Sequence, residues 1–293
     1  SDNSVIDESD LSFRIVKSNS VGGPYLKDSN TPLLMRFENN YENTASPANS
    51  GIPFNNVTSF AGWEIADLNK GLIIDNTSGG SCVKVPHYQD LNLTGSWTIE
   101  FWFYINNIGS SFYAYPYLLI KEGNPADFSV FLSNDGKFIS ATYSNSSGIE
   151  TRINCGSIQP KVWYHAAFVR DASGKSLSLY IRDVQRRLIT SASINDIEGT
   201  PKNSGGTLLI GGVTGGSNVQ FDGMIDELRI SNVARDFTVG IKEENTSNEL
   251  PSGFSLGQNY PNPFNPSTQI SYSVPAGGGQ VTLKIFDSIG REI

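Results

Sequence analysis

The chain has few residues of the kind that bind transition metals: two cysteines and two histidines among 293 residues. Neither Cys82 nor Cys155 has a second cysteine or a histidine at ligand spacing, which argues against a zinc site. In an oxidising compartment, however, an even pair of cysteines favours a disulfide. We therefore predict a disulfide between Cys82 and Cys155, with two separate buried thiols as the alternative.

The sequence also lacks long apolar runs and clusters of basic residues. No run approaches the roughly 18 residues of a membrane-spanning helix, and the start at Ser1 has neither the charged nor the apolar region of a signal peptide. The formal net charge is −8, so nucleic acids and anionic membrane surfaces are unfavourable partners. An acidic chain favours solubility and is compatible with a bound divalent cation.

The chain is rich in short alternating segments between Thr31 and Phe237, separated by clusters of Gly, Asn, Asp and Ser. This pattern predicts an all-β sandwich. In the strongest segment, Trp97–Ile105 (WTIEFWFYI), both faces carry aromatic residues. We therefore expect a central strand with one face in the core between two sheets and the other in a groove or under a loop.

The residues of these segments resemble the laminin-G-like, concanavalin A-type jelly-roll family that is often found in secreted bacterial proteins. The matching phrases, in the family's order, are Leu33–Asn39 (LLMRFEN), Gly71–Asp75 (GLIID), Trp97–Phe103 (WTIEFWF), Trp163–Asp171 (WYHAAFVRD), Leu208–Gly212 (LLIGG) and Phe221–Arg235 (FDGMIDELRISNVAR). The resemblance implies a concanavalin A-like jelly-roll β-sandwich over residues 33–237. Function does not follow from it, since the same sandwich serves lectins, glycanases, adhesive modules and spacers.

The acidic residues do not form the pattern of a glycanase. Glycanases of this architecture place carboxylates along one strand, typically as Glu-x-Asp-x-x-Glu, so that alternate side chains reach one sugar. The acidic groups lack that spacing in an apolar strand: Glu64 with Asp67, Asp196 with Glu198, Asp222 with Asp226 and Glu227, and Glu243 with Glu244. His165 has no recognisable Ser or Cys partner, and we interpret it as structural. We therefore predict no catalytic residues.

A structural calcium ion is implied by the resemblance, because the family often has one where the first strand meets the last. That place corresponds here to Glu38 or Asn39 and to Asp226. Carboxylate and amide oxygens are the ligands that Ca²⁺ prefers. The alternative is that Asp222 begins a tight Asp-Gly turn and that Asp226 pairs with an arginine such as Arg229.

Exposed aromatic rings are the candidates for carbohydrate binding, because rings stack on sugar faces while nearby polar groups supply hydrogen bonds. We select Trp102 and Tyr104, on the non-core face of their strand, and Tyr113 and Tyr115, in the aromatic loop that follows. The alternative is that each ring caps a sheet or packs under a loop.

The C-terminal segment from Asn259 to Pro275 (NYPNPFNPSTQISYSVP), followed by VTLKIFDSIGREI, closely resembles the sorting domain of cargo exported by the type IX secretion system. Alternation in Thr268–Val274 and Val281–Ile285 predicts a hairpin. The resemblance implies a small immunoglobulin-like β module, incomplete because the family's module usually continues for several strands. It also implies the type IX secretion machinery as a partner and a secreted, extracellular or cell-surface location.

An N-terminal arm precedes the sandwich. Leu11–Ser18 alternates apolar and polar residues and is followed by a Gly22-Gly23-Pro24 break, which predicts a free or edge strand. A free strand would add to the open C-terminal module of a neighbouring chain and build an extracellular fibre. The alternative, which we favour, is an edge strand of its own domain.

The sequence thus divides into an arm at residues 1–32, a sandwich at 33–237, a polar linker at 238–253 and a partial sorting module at 254–293. We predict an exported, non-enzymatic, all-β protein that binds carbohydrate or other surface partners. A fibre subunit is the alternative, and a glycanase is a more distant one.

Overall fold

The structure is a computed structural model and describes residues 22–55, 60–62, 70–75, 81–107, 115–133, 135–196, 199–214 and 221–237, with the backbone of two short strands beyond them. The chain divides into a first unit, residues 1–240, and a second unit, residues 241–293. Three predicted features lie outside the described residues: the strand Leu11–Ser18, the ring of Tyr113 and the strand Val281–Ile285. The strand exchange between neighbouring chains therefore stays a prediction.

The described part of the first unit is built almost entirely of β-strands joined by turns. Their bounds are β1 Leu33–Met35, β2 Ile52–Phe54, β3 Phe60–Gly62, β4 Lys70–Ile74, β5 Cys82–Val85, β6 Trp97–Ile105, β7 Tyr117–Lys121, β8 Phe128–Leu132, β9 Ile139–Ser144, β10 Glu150–Cys155, β11 Trp163–Asp171, β12 Ser176–Arg182, β13 Leu188–Asn195, β14 Leu208–Ile210 and β15 Gly223–Ser231. Two 3₁₀ turns lie at Pro47–Asn49 and Gln89–Leu91.

These strands form two antiparallel sheets that pack face to face. Sheet A has the order β13-β12-β11-β6-β15-β4-β3, with β1 also paired to β15, and sheet B has the order β10-β9-β8-β7-β14-β5-β2. Several neighbours in the sheets, such as β6 and β15 or β5 and β14, are distant in sequence. The predicted jelly-roll sandwich is confirmed.

Strand β6 shows how alternation builds the layers. The side chains on its core face are at most 1% exposed: Trp97, Ile99, Phe101, Phe103 and Ile105. Burying one side chain of this size contributes about 1.5–3 kcal/mol relative to leaving it exposed. The period of two places Thr98, Glu100 and Trp102 on the opposite face.

That opposite face of β6 is also buried from Thr98 to Trp102, because two segments of the same unit cross it. The indole N–H of Trp102 donates to the carbonyl of Gly22 at 2.7 Å, and the hydroxyl of Thr98 donates to the carbonyl of Val233 at 2.8 Å. The described end of the N-terminal arm therefore packs on its own domain. The expectation that the second face of this strand lies under a loop is correct.

In the second unit, the described backbone is one antiparallel pair, β16 Ser255–Leu256 with β17 Tyr272–Ser273. Strand β17 lies within the predicted strand Thr268–Val274. The immunoglobulin-like sorting module around this pair remains a prediction.

The predicted disulfide is wrong, because both cysteines are free thiols and buried. Cys82 lies in β5 and Cys155 in β10, and four strands of sheet B separate them. At about 4.8 Å per strand spacing the two are roughly 24 Å apart, whereas a disulfide needs Cα atoms within about 7 Å. The alternative of two separate buried thiols is the one observed.

Candidate ligand-binding surface

The outer face of sheet B carries a row of side chains that crosses four strands. Cross-strand pairing places Tyr117 beside Phe131, Phe131 beside Ser140 and Ser140 beside Asn154. The residues on either side of Phe131 in β8 belong to the core between the sheets. Because side chains alternate along a strand, this row faces away from the core.

Tyr115 extends the row just before β7 begins. The centroid of its ring lies 5.4 Å from that of Phe131, and the ring of Tyr117 lies 5.5 Å from the same centroid. Phe131 is 3% exposed, whereas Tyr115 is 45% exposed. A buried ring thus supports an exposed one in a fixed, edge-on arrangement.

Polar groups surround these rings. The guanidinium of Arg152 lies 4.9 Å from the ring centroid of Phe131 and 5.8 Å from that of Tyr115, within cation–π range. Asn154, which is exposed, accepts a hydrogen bond from the hydroxyl of Ser140 through Oδ1 at 2.7 Å. We call Tyr115, Tyr117, Phe131, Arg152 and Asn154 the aromatic patch.

The phenol of Tyr117 is a hydrogen-bond donor at neutral pH. Burial raises its pKa above the usual value, the carboxylate of Glu150 raises it further, and Arg152 opposes both. The patch therefore combines an exposed ring, a cation, an amide and a neutral phenol on one face.

Trp102 is buried, so its ring cannot stack on a sugar. The prediction that Trp102 binds a ligand in this way is wrong. The side chain is 0% exposed, lies under Gly22 and packs edge-on against His165, with 5.3 Å between ring centroids. The structure makes Trp102 an anchor for the N-terminal segment.

Tyr104 lies on the outer face of sheet A and remains partly exposed. Its ring packs on that of Trp163 at 5.5 Å and 45°. Because Tyr104 and Tyr115 belong to different layers of the sandwich, the structure does not bring them into one site. Tyr104 is a candidate of its own, and Tyr113 lies outside the described residues.

Beneath the N-terminal segment is a buried cluster of charged side chains that the sequence analysis did not anticipate. The guanidinium of Arg229 donates to Oε1 of Glu100 from Nε and Nη2, both at 2.7 Å. The other oxygen of Glu100 lies 3.5 Å from Nε2 of His165, and the Tyr25 hydroxyl lies 2.7 Å from the same nitrogen. Arg229 also lies 3.8 Å from the centroid of the Tyr25 ring.

The pKa values of the cluster follow from burial and charge. Burial, the largest single effect, would raise the pKa of Glu100, but Arg229, His165 and Tyr25 together outweigh it and lower that pKa to about 2. Burial lowers the pKa of His165 despite the neighbouring carboxylate, and raises that of Tyr25 well above its usual value. Burial also raises the pKa of Glu227 to about 7, against the backbone N–H of Tyr25, which donates to it at 2.9 Å.

This cluster is closed to solvent, since the side chains of Glu100 and His165 are 0% exposed. Phe237 stacks on His165 at 6.0 Å between ring centroids and covers it from another side. The arrangement ties the sheet to the two segments that cross it. The interpretation of His165 as a structural residue fits this geometry.

The predicted calcium ligands have other partners in this structure. Oδ1 of Asn39 accepts a hydrogen bond from Nζ of Lys70 at 2.9 Å, and Oδ1 of Asp226 accepts one from the backbone N–H of Glu227 at 2.7 Å. Within the described ranges, no three side chains of His, Cys, Asp or Glu are grouped as metal ligands. Calcium at Glu38 or Asn39 together with Asp226 stays a prediction, and a site that includes Asn39 requires the Lys70 ammonium to move.

Comparison with known families identifies the sandwich. The family model of the concanavalin A-like lectin/glucanases superfamily, in its laminin-G form, matches residues 77–237. The chain belongs to this superfamily. The match includes the strands of the aromatic patch and those that carry Glu100, His165 and Arg229.

Two solved structures are similar to this chain in fold. The binding domain of Paraclostridial Mosquitocidal Protein 1 is 15% identical with a TM-score of 0.57, over 71% of this chain and 50% of that one. The binding domain of botulinum neurotoxin DC in complex with rat synaptotagmin II is 17% identical with a TM-score of 0.51, over 69% and 48%. The chain thus spans about half the length of these structures.

A search of curated proteins found no match. No helix among the described residues is long and apolar enough to cross a membrane. In this member of the concanavalin A-like superfamily, the aromatic patch brings a partly exposed ring, a guanidinium and an amide together on the outer face of sheet B.

Proposed function

We propose that the protein is a non-catalytic carbohydrate-binding protein that uses the aromatic patch as its binding surface. The observation that carries this proposal is the exposed ring of Tyr115, held on buried Phe131 beside Arg152. The solved structures similar in fold include domains described as binding domains. We propose a binding role for this chain as well, but we do not propose that it binds the partners of those proteins.

The geometry of the patch suits a sugar chain. Aromatic faces bury the apolar C–H side of a pyranose, while planar guanidinium and amide groups hydrogen-bond its hydroxyls. The row from Tyr117 to Asn154 crosses four strands, which is a span of about 14 Å. A short oligosaccharide laid across the strands would meet the rings at one end and Asn154 at the other.

The test is the affinity of the purified protein for a panel of neutral and acidic polysaccharides, measured by retardation in native gels and by titration calorimetry. Tyr115→Ala should weaken binding about tenfold or more, because a lost stacking contact is worth about 1.5 kcal/mol. The matched control is Leu188→Ala, since Leu188 is 41% exposed at the edge of the other sheet. Equal loss in both variants, or loss in neither, would count against the patch.

The same proposal assigns no catalytic step to the protein. In the described part of the chain, Glu100 and His165 are in contact and resemble an acid–base pair. Neither side chain has access to solvent. Asp196 is held by Arg170 at 2.8 Å. Turnover of any polysaccharide in the panel, abolished by an acidic-residue substitution, would overturn this assignment.

We further propose that binding takes place outside the cell and that the type IX system exports the protein, on the basis of the C-terminal sequence. Deleting residues 254–293 should then keep the protein inside the cell. Calcium is a proposed structural ligand of the same domain, and a melting temperature that EDTA leaves unchanged would remove it.

A further inference from the structure

A polar cleft of about 700 Å³ lies outside the aromatic patch. Its walls are the N-terminal segment Lys27–Pro32, the turn Gln89–Asn92 with Thr94, and the side chains of Asn203 and Asn232. Small-molecule and cofactor sites commonly occupy clefts of about 300–1,000 Å³. The volume is therefore that of a ligand site, and none of the residues selected from the sequence lies in it.

The walls of the cleft are held in place by hydrogen bonds. Asp28 accepts from the hydroxyl of Thr31 at 2.6 Å and from Arg235 at 2.8 Å. Lys27 donates to the carbonyl of Ala45 at 2.6 Å, and Asn203 accepts from the backbone N–H of Leu93 at 3.1 Å. These groups shape the cleft and are already satisfied by the protein.

A second set of side chains borders the same cleft with its hydrogen-bonding capacity unused. Within the described residues, no side-chain hydrogen bond is made by Ser29, Gln89, Asp90, Asn92, Thr94 or Asn232. Together they present amides, hydroxyls and one carboxylate. Rigid walls with unused donors and acceptors are what a pre-formed polar site requires.

The composition of the cleft selects the ligand chemistry. Of the residues that line it, Pro32 and Ala45 are apolar and the others are polar or charged, so hydrogen bonds would dominate the binding of a ligand. Its one lysine, Lys27, already donates to the carbonyl of Ala45, and two carboxylates face the same space, so the cleft has no excess of positive charge with which to hold phosphate, sulfate or an acidic sugar. A sugar hydroxyl both donates and accepts, as the free amides do.

We propose that this cleft is a second ligand site that binds an uncharged, hydroxyl-rich ligand, namely a short neutral oligosaccharide. The proposal rests on the carbohydrate-binding function and adds to it a separate site of stated selectivity. Asn203 borders both the cleft and a small pocket at Lys121, the end of β7 opposite to Tyr117 of the aromatic patch. One domain thus holds two separated segments of glycan.

The test is titration calorimetry of the full chain with neutral gluco-, xylo- and manno-oligosaccharides of two to six units, and with an acidic uronate series. Asn92→Ala and Asn232→Ala should each weaken one of two binding events about tenfold, and Tyr115→Ala should weaken the other. Asn195→Ala, an exposed asparagine on β13, should change neither. Thermal unfolding of each variant verifies that it is folded.

Wild-type affinity in both cleft variants, with loss in Tyr115→Ala, would overturn the second site and leave the proposed function intact. Loss in the cleft variants with none in Tyr115→Ala would support the cleft and remove the patch. If no neutral oligosaccharide binds the wild type, the cleft proposal fails. If acidic glycans do not bind either, the proposed function fails with it.

Discussion

Arg229 and Glu100 form a buried ion pair in which both Nε and Nη2 of the guanidinium lie 2.7 Å from one carboxylate oxygen. The pair joins β15 to β6 in the middle of sheet A, under the segment that contains Tyr25. Removing one partner of such a pair leaves the other charge buried and unpaired. Breaking this pair should therefore destabilise the sandwich.

Glu100→Gln should lower the free energy of unfolding by about 3–5 kcal/mol, because it strands the charge of Arg229. The matched control is Asp183→Asn in the exposed pair with Arg187, also at 2.7 Å, which should cost less than about 1 kcal/mol. Urea unfolding at pH 7 measures both. If both variants lose the same free energy of unfolding, the buried pair stabilises the fold no more than the exposed pair does.

Glu227→Gln should make the stability of the protein less dependent on pH. Burial raises the pKa of Glu227 from 4.5 to about 7, so the folded state binds this proton more tightly than the unfolded state. Stability from this group is present below pH 4.5 and is lost as the pH rises to about 7.

Relative to wild type, the Gln variant should gain up to about 3 kcal/mol between pH 5 and pH 8. The difference between variant and wild type is the quantity to compare, because burial lowers the pKa of His165 and this group adds a pH dependence that both proteins share. Parallel stability curves over this pH range would contradict the assignment.

Trp102→Phe should destabilise the fold without changing glycan affinity. The substitution removes the indole hydrogen bond to Gly22 and leaves that buried carbonyl unpaired, at a cost of about 1–3 kcal/mol. Chemical unfolding and polysaccharide binding are measured on the same sample. If the Trp102→Phe variant is folded but no longer binds glycans, Trp102 is a ligand-binding residue and this prediction is wrong.

Both cysteines should be protected thiols. Burial raises the pKa of Cys82 and that of Cys155 to about 11, so the reactive thiolate is scarce. A thiol reagent should react with no cysteine in the native protein and with two cysteines in denaturant. A reducing agent should leave the melting temperature unchanged. Detection of fewer than two thiols in denaturant would support the disulfide between Cys82 and Cys155 instead.

The strands that could be predicted from sequence are those whose alternation involves large apolar residues, as in Trp97–Ile105. Strands β10 and β13 are hard to predict from sequence, because edge strands such as Leu188–Asn195 are largely solvated and carry many polar residues. A period of two is hard to recognise without a buried face.

The candidate site could be predicted only in part, because it depends on which strands become neighbours. Tyr115 was selected from the sequence, whereas Phe131 and Arg152, which complete its surroundings, come from strands β8 and β10. Trp102 was misjudged because its cover, Gly22, is 80 residues away in sequence. Cys82 and Cys155 were paired for the same reason, since strand order in sheet B decides their distance.

The central claim is that the aromatic patch binds carbohydrate. The most direct measurement is titration of wild type, Tyr115→Ala and Leu188→Ala with the polysaccharide that retards the wild-type protein most in native gels. We expect Leu188→Ala to bind as wild type does and Tyr115→Ala to bind at least about tenfold more weakly. A Tyr115→Ala protein that is folded and binds with wild-type affinity would contradict the account.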